Sequence, residues 1–130
     1  MQRKDEQKPG EQRPPFDICD RTFEFTLNVI DICEEINMRP GVCWTLSKQL
    51  VRAGTSVGAN IEEGKAAQSR ADFISKYSIA RKETRETRFF LRILKARNYA
   101  AIERLDPLIE ESDQLIRILT SIILNTLSQE

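Results

Sequence analysis

From Phe16 onward, apolar side chains recur every three or four residues, and nowhere do they alternate with period two over a useful length. That pattern has no place for a sheet. It breaks into four segments separated by turn signals, and each segment is read here as one helix.

The first runs through Cys19, Thr22, Phe23, Thr26, Val29, Ile30, Cys33 and Ile36, a stripe that gives a helix of about 20 residues. Asn37-Met-Arg-Pro-Gly41 supplies its stop and a turn. A second stripe carries Leu46, Leu50, Ala53, Val57 and Ile61, with Gly64 placed to cap the C-terminus. Ser69-Arg-Ala-Asp72 has the spacing of a helix start, in which the serine oxygen accepts from a backbone N–H three residues on. The third helix so opened reaches to about Asn98, with Phe73, Tyr77, Ala80, Thr84, Thr87, Leu91 and Leu94 inward. Asp106-Pro107 pairs a good cap with a residue suited to the first helical position, and it predicts a fourth helix with Leu108, Ser112, Leu115, Leu119 and Ile122 inward. Four long helices with short connections pack most economically as an antiparallel up-down-up-down bundle. The expected fold is therefore all-α, with a four-helix bundle domain over 16–130. Residues 1–15 hold Pro9, Gly10, Pro14 and Pro15 but no large apolar side chain beyond Met1, so they are expected to form a flexible arm.

The composition narrows the chemistry. A chain of 130 residues has room for one core. It contains no His, so the commonest general base and the commonest metal ligand are both missing. Cys19, Cys33 and Cys43 are odd in number and lack a C-x-x-C spacing, which suits reduced, buried thiols in the cytoplasm. Residues 1–10 have no apolar signal-peptide core, and the longest apolar-rich run, Ile118 to Leu124, is too short to span a membrane. No residue set joins a nucleophile, a base and an orienting group. The expectation is a non-enzymatic protein with no cofactor, no metal site and no membrane partner.

Net charge is zero, with 20 basic and 20 acidic residues, yet the segments are strongly unequal. The first helix region has Asp17, Asp20, Glu24, Asp31, Glu34 and Glu35 against Arg21 alone, and the stretch from Leu105 onward is acidic too. Between Arg70 and Arg104 the balance reverses. There Arg81, Arg85, Arg88, Arg92 and Lys95 follow one another at spacings of four and three, so all five project from nearly one face. Like charges so placed cost an isolated helix on the order of 1–2 kcal/mol in total, which something must offset. Three arrangements can do so: acids from neighbouring helices, an acidic face of another subunit, or bound phosphates.

Other features read as packing before chemistry. Gly54 and Gly58 make the second helix small where another helix approaches. Glu62 and Glu63 are adjacent and point apart, a poor acid–base pair, so Asn60 and Glu63 fit polar packing or a subunit contact better than catalysis. Of Phe89 and Phe90, one should face the core and the other is free to cover a subunit contact; Trp44 is expected to anchor a core or an interface.

The runs Gln49-Leu-Val-Arg-Ala-Gly-Thr-Ser-Val-Gly-Ala-Asn-Ile-Glu-Glu63, Ala67-Gln-Ser-Arg-Ala-Asp-Phe-Ile-Ser-Lys76, Ile79-Ala-Arg-Lys-Glu-Thr-Arg-Glu-Thr87 and Leu91-Arg-Ile-Leu94 together resemble the four-helix-bundle proteins encoded in intervening sequences of 23S ribosomal RNA genes. The similarity spans about Phe16 to Leu127. Phe89-Phe90 stands where an aromatic pair closer to Tyr-Trp is usual, and Gly64 where Ala is commoner. The resemblance implies a ring-like homo-oligomer, a pentamer, with basic residues toward a central pore. The chain is similar also to the accessory variability proteins of diversity-generating retroelements, which implies RNA or DNA and a reverse transcriptase as partners. It carries over no catalytic residues. The expected function is a homo-oligomeric scaffold binding nucleic acid, RNA first, through Arg81, Arg85, Arg88, Arg92 and Lys95. The alternative is a protein–protein assembly module whose basic ladder is satisfied by acidic helices or at a subunit interface.

Overall fold

The computed structural model describes residues 17–129, and all regular structure among them is helical: α1 (Ile18–Ile36), α2 (Val42–Lys65), α3 (Arg70–Ala96) and α4 (Ile102–Leu127). The arm expected over 1–15 lies outside the described residues. Each helix packs on its neighbours in chain order, and α4 closes back onto α1 along a shorter seam, while the backbones of the diagonal pairs stay apart. This is the up-down-up-down four-helix bundle, about 40 Å long at 1.5 Å per residue along α3.

Local signals account for most boundaries. The Asp17 carboxylate accepts from the N–H groups of Cys19 and Asp20, and Ser69 Oγ accepts from the Asp72 N–H at 3.0 Å, so α1 and α3 start on side-chain caps. Helix α3 ends with Asn98 in the left-handed region, φ 57°, where the Tyr99 N–H reaches the Leu94 carbonyl and the Asn98 N–H the Lys95 carbonyl. Those two bonds satisfy carbonyls that the helix end would otherwise orphan. Gly41 holds φ 80° just before α2, a conformation that only glycine takes without strain.

Two boundaries differ from the sequence expectation. Helix α2 does not stop at Gly64, which is helical and buried; a Cβ there would lie 2.6 Å from Tyr77 Cε1. The glycine serves the close approach of α3 rather than a cap. Helix α4 begins at Ile102, not at Asp106-Pro107, because burying Leu105 completely draws the preceding turn into the helix. Pro107 then sits one turn inside, exposed, and Asp106 pairs with Lys95 instead of capping.

The core is built from Phe25, Val29, Ile32, Ile36, Leu50, Val57, Leu91, Leu94, Leu105 and Leu115, continued toward the other end by Ile61, Tyr77, Ala80, Leu119 and Ile123. Helix α3 presents the expected stripe, apart from Phe73, which is half-buried and stacks on Tyr77 at 4.1 Å. In α1 the expected stripe is partly wrong: Phe25 and Ile32 are buried, whereas Phe23 is 58% exposed and Ile30 only half-buried. Thr84, Thr87 and Ser112 are fully buried, and each returns its hydroxyl to a carbonyl of its own helix. Small self-satisfied side chains let α3 and α4 pack closely without leaving an orphaned donor.

Candidate nucleic-acid interface

On a helix with 3.6 residues per turn, positions 81, 85, 88, 92 and 95 spread over an arc of about 80°, with 85 and 92 swung to one side and 88 and 95 to the other. That spread divides the basic ladder in two. On the side toward α4, Arg88 Nε lies 2.7 Å from Asp113 Oδ1 and Lys95 Nζ 2.7 Å from Asp106 Oδ1, while Arg81 Nη1 donates to Thr120 Oγ1 at 3.3 Å. The Arg88 Nε–H is not aimed squarely at its acceptor, so that contact is an ion pair more than a straight hydrogen bond. Helix α4 thus neutralises two rungs, Arg88 and Lys95, along the α3–α4 seam and holds a third, Arg81, by a hydroxyl.

Arg85 and Arg92 are exposed and have no partner among the described residues; neither has Lys82, one turn before Arg85. Phe89 lies among these three on the helix surface and is 55% exposed, its ring 5.9 Å from that of Phe90. Phe90 packs against the core. The outward ridge of α3 is therefore Lys82, Arg85, Phe89 and Arg92: an aromatic ring framed by three unneutralised cations. Lys82 escapes a search limited to the ladder, although its spacing of three and seven residues from Arg85 and Phe89 marks it.

Three further basic residues form bridges between helices. Arg52 on α2 binds Glu83 and Glu86 on α3, at 3.2 and 2.5 Å. The hydrogen bond to Glu86 is the main cause that holds the Arg52 guanidinium protonated even more firmly than usual. Glu83 is buried, so this bridge also keeps an interior carboxylate paired. Arg21 reaches Glu111 at 2.5 Å and Gln114 at 3.1 Å, and Arg104 pairs with Glu35, so α1 is tied to α4 at two levels.

Of the other residues singled out in sequence, Gly54 lies against α1, where a Cβ would come within 2.7 Å of Val29 Cγ1. Gly58 faces Thr26 and opens the floor of a shallow groove between α1 and α2. Asn60 Nδ2 donates to the Ser56 carbonyl of its own helix, and Glu63 is exposed. Trp44 is not a core anchor: it is 48% exposed, and the Lys48 ammonium sits 3.6 Å from the ring centroid, covering one face. Cys33 and Cys43 are buried thiols; burial pushes Cys33 up to about 12, and burial together with Glu62 raises Cys19. A thiol raised so far, as at Cys33, is a poor nucleophile. Among the described residues no cluster of Cys, Asp and Glu could hold a metal ion, and no helix is long and apolar enough to cross a membrane.

Comparison with known proteins completes the description. The sequence pattern of the 23S rRNA-intervening sequence proteins matches residues 15–121. A crystal structure of a protein with unknown function from Bacteroides thetaiotaomicron, from the S23 ribosomal protein family, superposes with a TM-score of 0.76 at 37% identity, covering 82% of this chain and 98% of that one. Among curated proteins none matches.

Proposed function

This chain belongs to the 23S rRNA-intervening sequence protein family, and on that premise we propose that it is a non-enzymatic helical scaffold that binds nucleic acid, RNA first, on the outward ridge of α3. The observation that carries this reading is the division of the ladder. Helix α4 pairs Arg88 and Lys95 with acids and engages Arg81 through the Thr120 hydroxyl, but Lys82, Arg85 and Arg92 remain without a partner among the described residues. Cations on one rigid helix, spaced one and two turns apart, suit the repeating phosphates of a backbone, and Phe89 offers a π-face to an unpaired base. Among the described residues, Arg21, Arg52 and Arg104 are each paired with an acid of another helix.

The test is filter binding of structured RNA across a salt series. Three neutralised phosphates predict a slope of log K against log salt of about −2 per protomer, at about −0.7 for each single-strand contact. Absence of binding at low salt, or binding indifferent to salt, removes the proposal.

A second reading is favoured by a separate observation. The exposed ring of Phe89 and the apolar groove between α1 and α2 are both uncovered on one protomer, which suits a module that assembles with copies of itself.

A further inference from the structure

Of the nine large apolar side chains that stand exposed among the described residues, four gather at one end of the bundle: Met38 at 84%, Val42 at 62%, and Trp44 and Ile102 at 48% each. In the up-down-up-down arrangement the α1–α2 turn and the α3–α4 turn share that end, which brings these positions together from distant parts of the chain. Both turns are fixed. Gly41 holds φ 80° and Asn98 φ 57°, the Arg39 N–H donates to the Ile36 carbonyl, and Tyr99 and Ala100 pack against the core. Ordered backbone therefore holds four apolar side chains out in water, a patch that marks a contact surface.

Charge says what covers it. From Asn37 to Lys48 and from Arg97 to Ile102 the chain carries Arg39, Lys48 and Arg97 and no acid. None of these three cations is paired with an acid among the described residues. The acids closest to these stretches in sequence are Glu34, Glu35 and Glu103, and Glu35 is taken up by Arg104. A second copy of the same end would set cations against cations. A nucleic acid would find little to stack on, because three of the four side chains are aliphatic and the Lys48 ammonium covers one face of Trp44. Met38 and Val42 project into solvent, which suits entry into a soft surface better than closure around a peptide.

We infer that this end of the bundle is a contact site for an anionic membrane surface. Met38, Val42, Trp44 and Ile102 enter the boundary between headgroups and acyl chains, where a Trp ring finds an apolar zone on one side and water on the other. Arg39, Lys48 and Arg97 stay at the level of the lipid phosphates. Lys48 stands one turn behind Trp44, about 6 Å along the axis at 1.5 Å per residue, so its stem follows the ring while the ammonium remains among the headgroups. The contact is peripheral, about 5–10 Å deep, and calls for no spanning helix. Its members come from two turns joined only by the fold, so it leaves no apolar run in the sequence; the expectation of no membrane partner, drawn from such runs, does not bear on it. The outward ridge of α3 takes no part, and the inference stands apart from the nucleic-acid reading.

Trp44 is the only tryptophan in the chain, so its emission reports on this end alone. The full chain, without nucleic acid, is titrated with vesicles of phosphatidylcholine containing phosphatidylglycerol and with vesicles of phosphatidylcholine alone. On the anionic vesicles Trp44 emission is expected to move to shorter wavelength and to be quenched by brominated acyl chains, and the chain to float with the lipid. At about fivefold for each cation near an anionic surface, neutral vesicles should bind about 100-fold more weakly and Arg39→Gln/Arg97→Gln should cut partitioning about 25-fold. Met38→Ser/Val42→Ser should abolish the shift, its fold verified by circular dichroism; should it fail to fold, Ile102→Ser replaces it. No shift on anionic vesicles, equal binding to neutral ones, wild-type binding by the apolar variant, or a Trp44 shift produced by RNA and not by lipid would each overturn the inference. Lys82→Gln/Arg85→Gln, far along α3 from this end, should weaken RNA binding and leave vesicle binding unchanged, which separates failure of one claim from failure of the other.

Discussion

Replacing Arg85 and Arg92 together by Gln should damage RNA binding far more than replacing Arg88 and Lys95 together, although all four residues belong to one ladder. In the first pair the charges removed have no partner among the described residues, so the fold loses almost nothing. In the second, each lost cation strands an exposed carboxylate, Asp113 or Asp106, and pairs of this exposure contribute roughly 0.2–1 kcal/mol each to stability. Thermal unfolding should therefore show a small loss for Arg88→Gln/Lys95→Gln and none for Arg85→Gln/Arg92→Gln. Binding should show the reverse. At about −0.7 per phosphate contact, Arg85→Gln/Arg92→Gln cuts the salt slope from about −2 to about −0.7 per protomer, whereas Arg88→Gln/Lys95→Gln leaves it near −2. The assay is fluorescence anisotropy of a labelled structured RNA from low to moderate salt. Equal slopes for the two double variants would refute the division of the ladder into structural and binding rungs.

Three further outcomes follow from the packing. Gly54→Ala should destabilise by about 1–3 kcal/mol, because its Cβ would meet Val29 Cγ1 at 2.7 Å inside a closely packed seam; an unchanged chemical-denaturation midpoint would contradict this. Ser69→Ala should cost about 0.5–2 kcal/mol by orphaning the Asp72 N–H, with the loss read from the same denaturation curve. Cys33 should make the fold alkali-sensitive: its thiol ionises at 9.0 when unfolded and at about 12 when buried, so its contribution is fully present below pH 9 and is lost as the pH rises toward 12. Up to about 4 kcal/mol is at stake at 1.36 kcal/mol per pH unit, and Cys33→Ala should flatten that part of the decline in melting temperature.

The bundle was legible wherever local chemistry and the apolar period agreed. In α3 the Ser69 cap and the stripe from Tyr77 to Leu94 point to the same helix, and the structure has it. In α1 two stripes fit a spacing of three and four equally well, one through Phe23 and one through Phe25; which of them faces inward is decided by where Gly54 admits Val29, a contact between helices that no single segment encodes. The Asp106-Pro107 signal is sound locally but yields to the burial of Leu105, a tertiary effect. The ladder was visible as spacing, yet its division depended on Asp106, Asp113 and Thr120 arriving from α4, and the bridge from Arg52 to Glu83 and Glu86 depended likewise on the register of α2 against α3. For Trp44 the core half of the expectation fails, because ring size alone suggests burial, whereas at the start of α2 it is roofed by Lys48 and left half in solvent.

The central claim is that nucleic acid sits on the outward ridge of α3. Ultraviolet crosslinking of the full chain to a uridine-rich structured RNA, followed by peptide mapping, tests it most directly. Crosslinks concentrated between Lys82 and Arg92, with Phe89 the leading site, are the predicted result; crosslinks on α1 or α4, or an even scatter over the bundle, would contradict it.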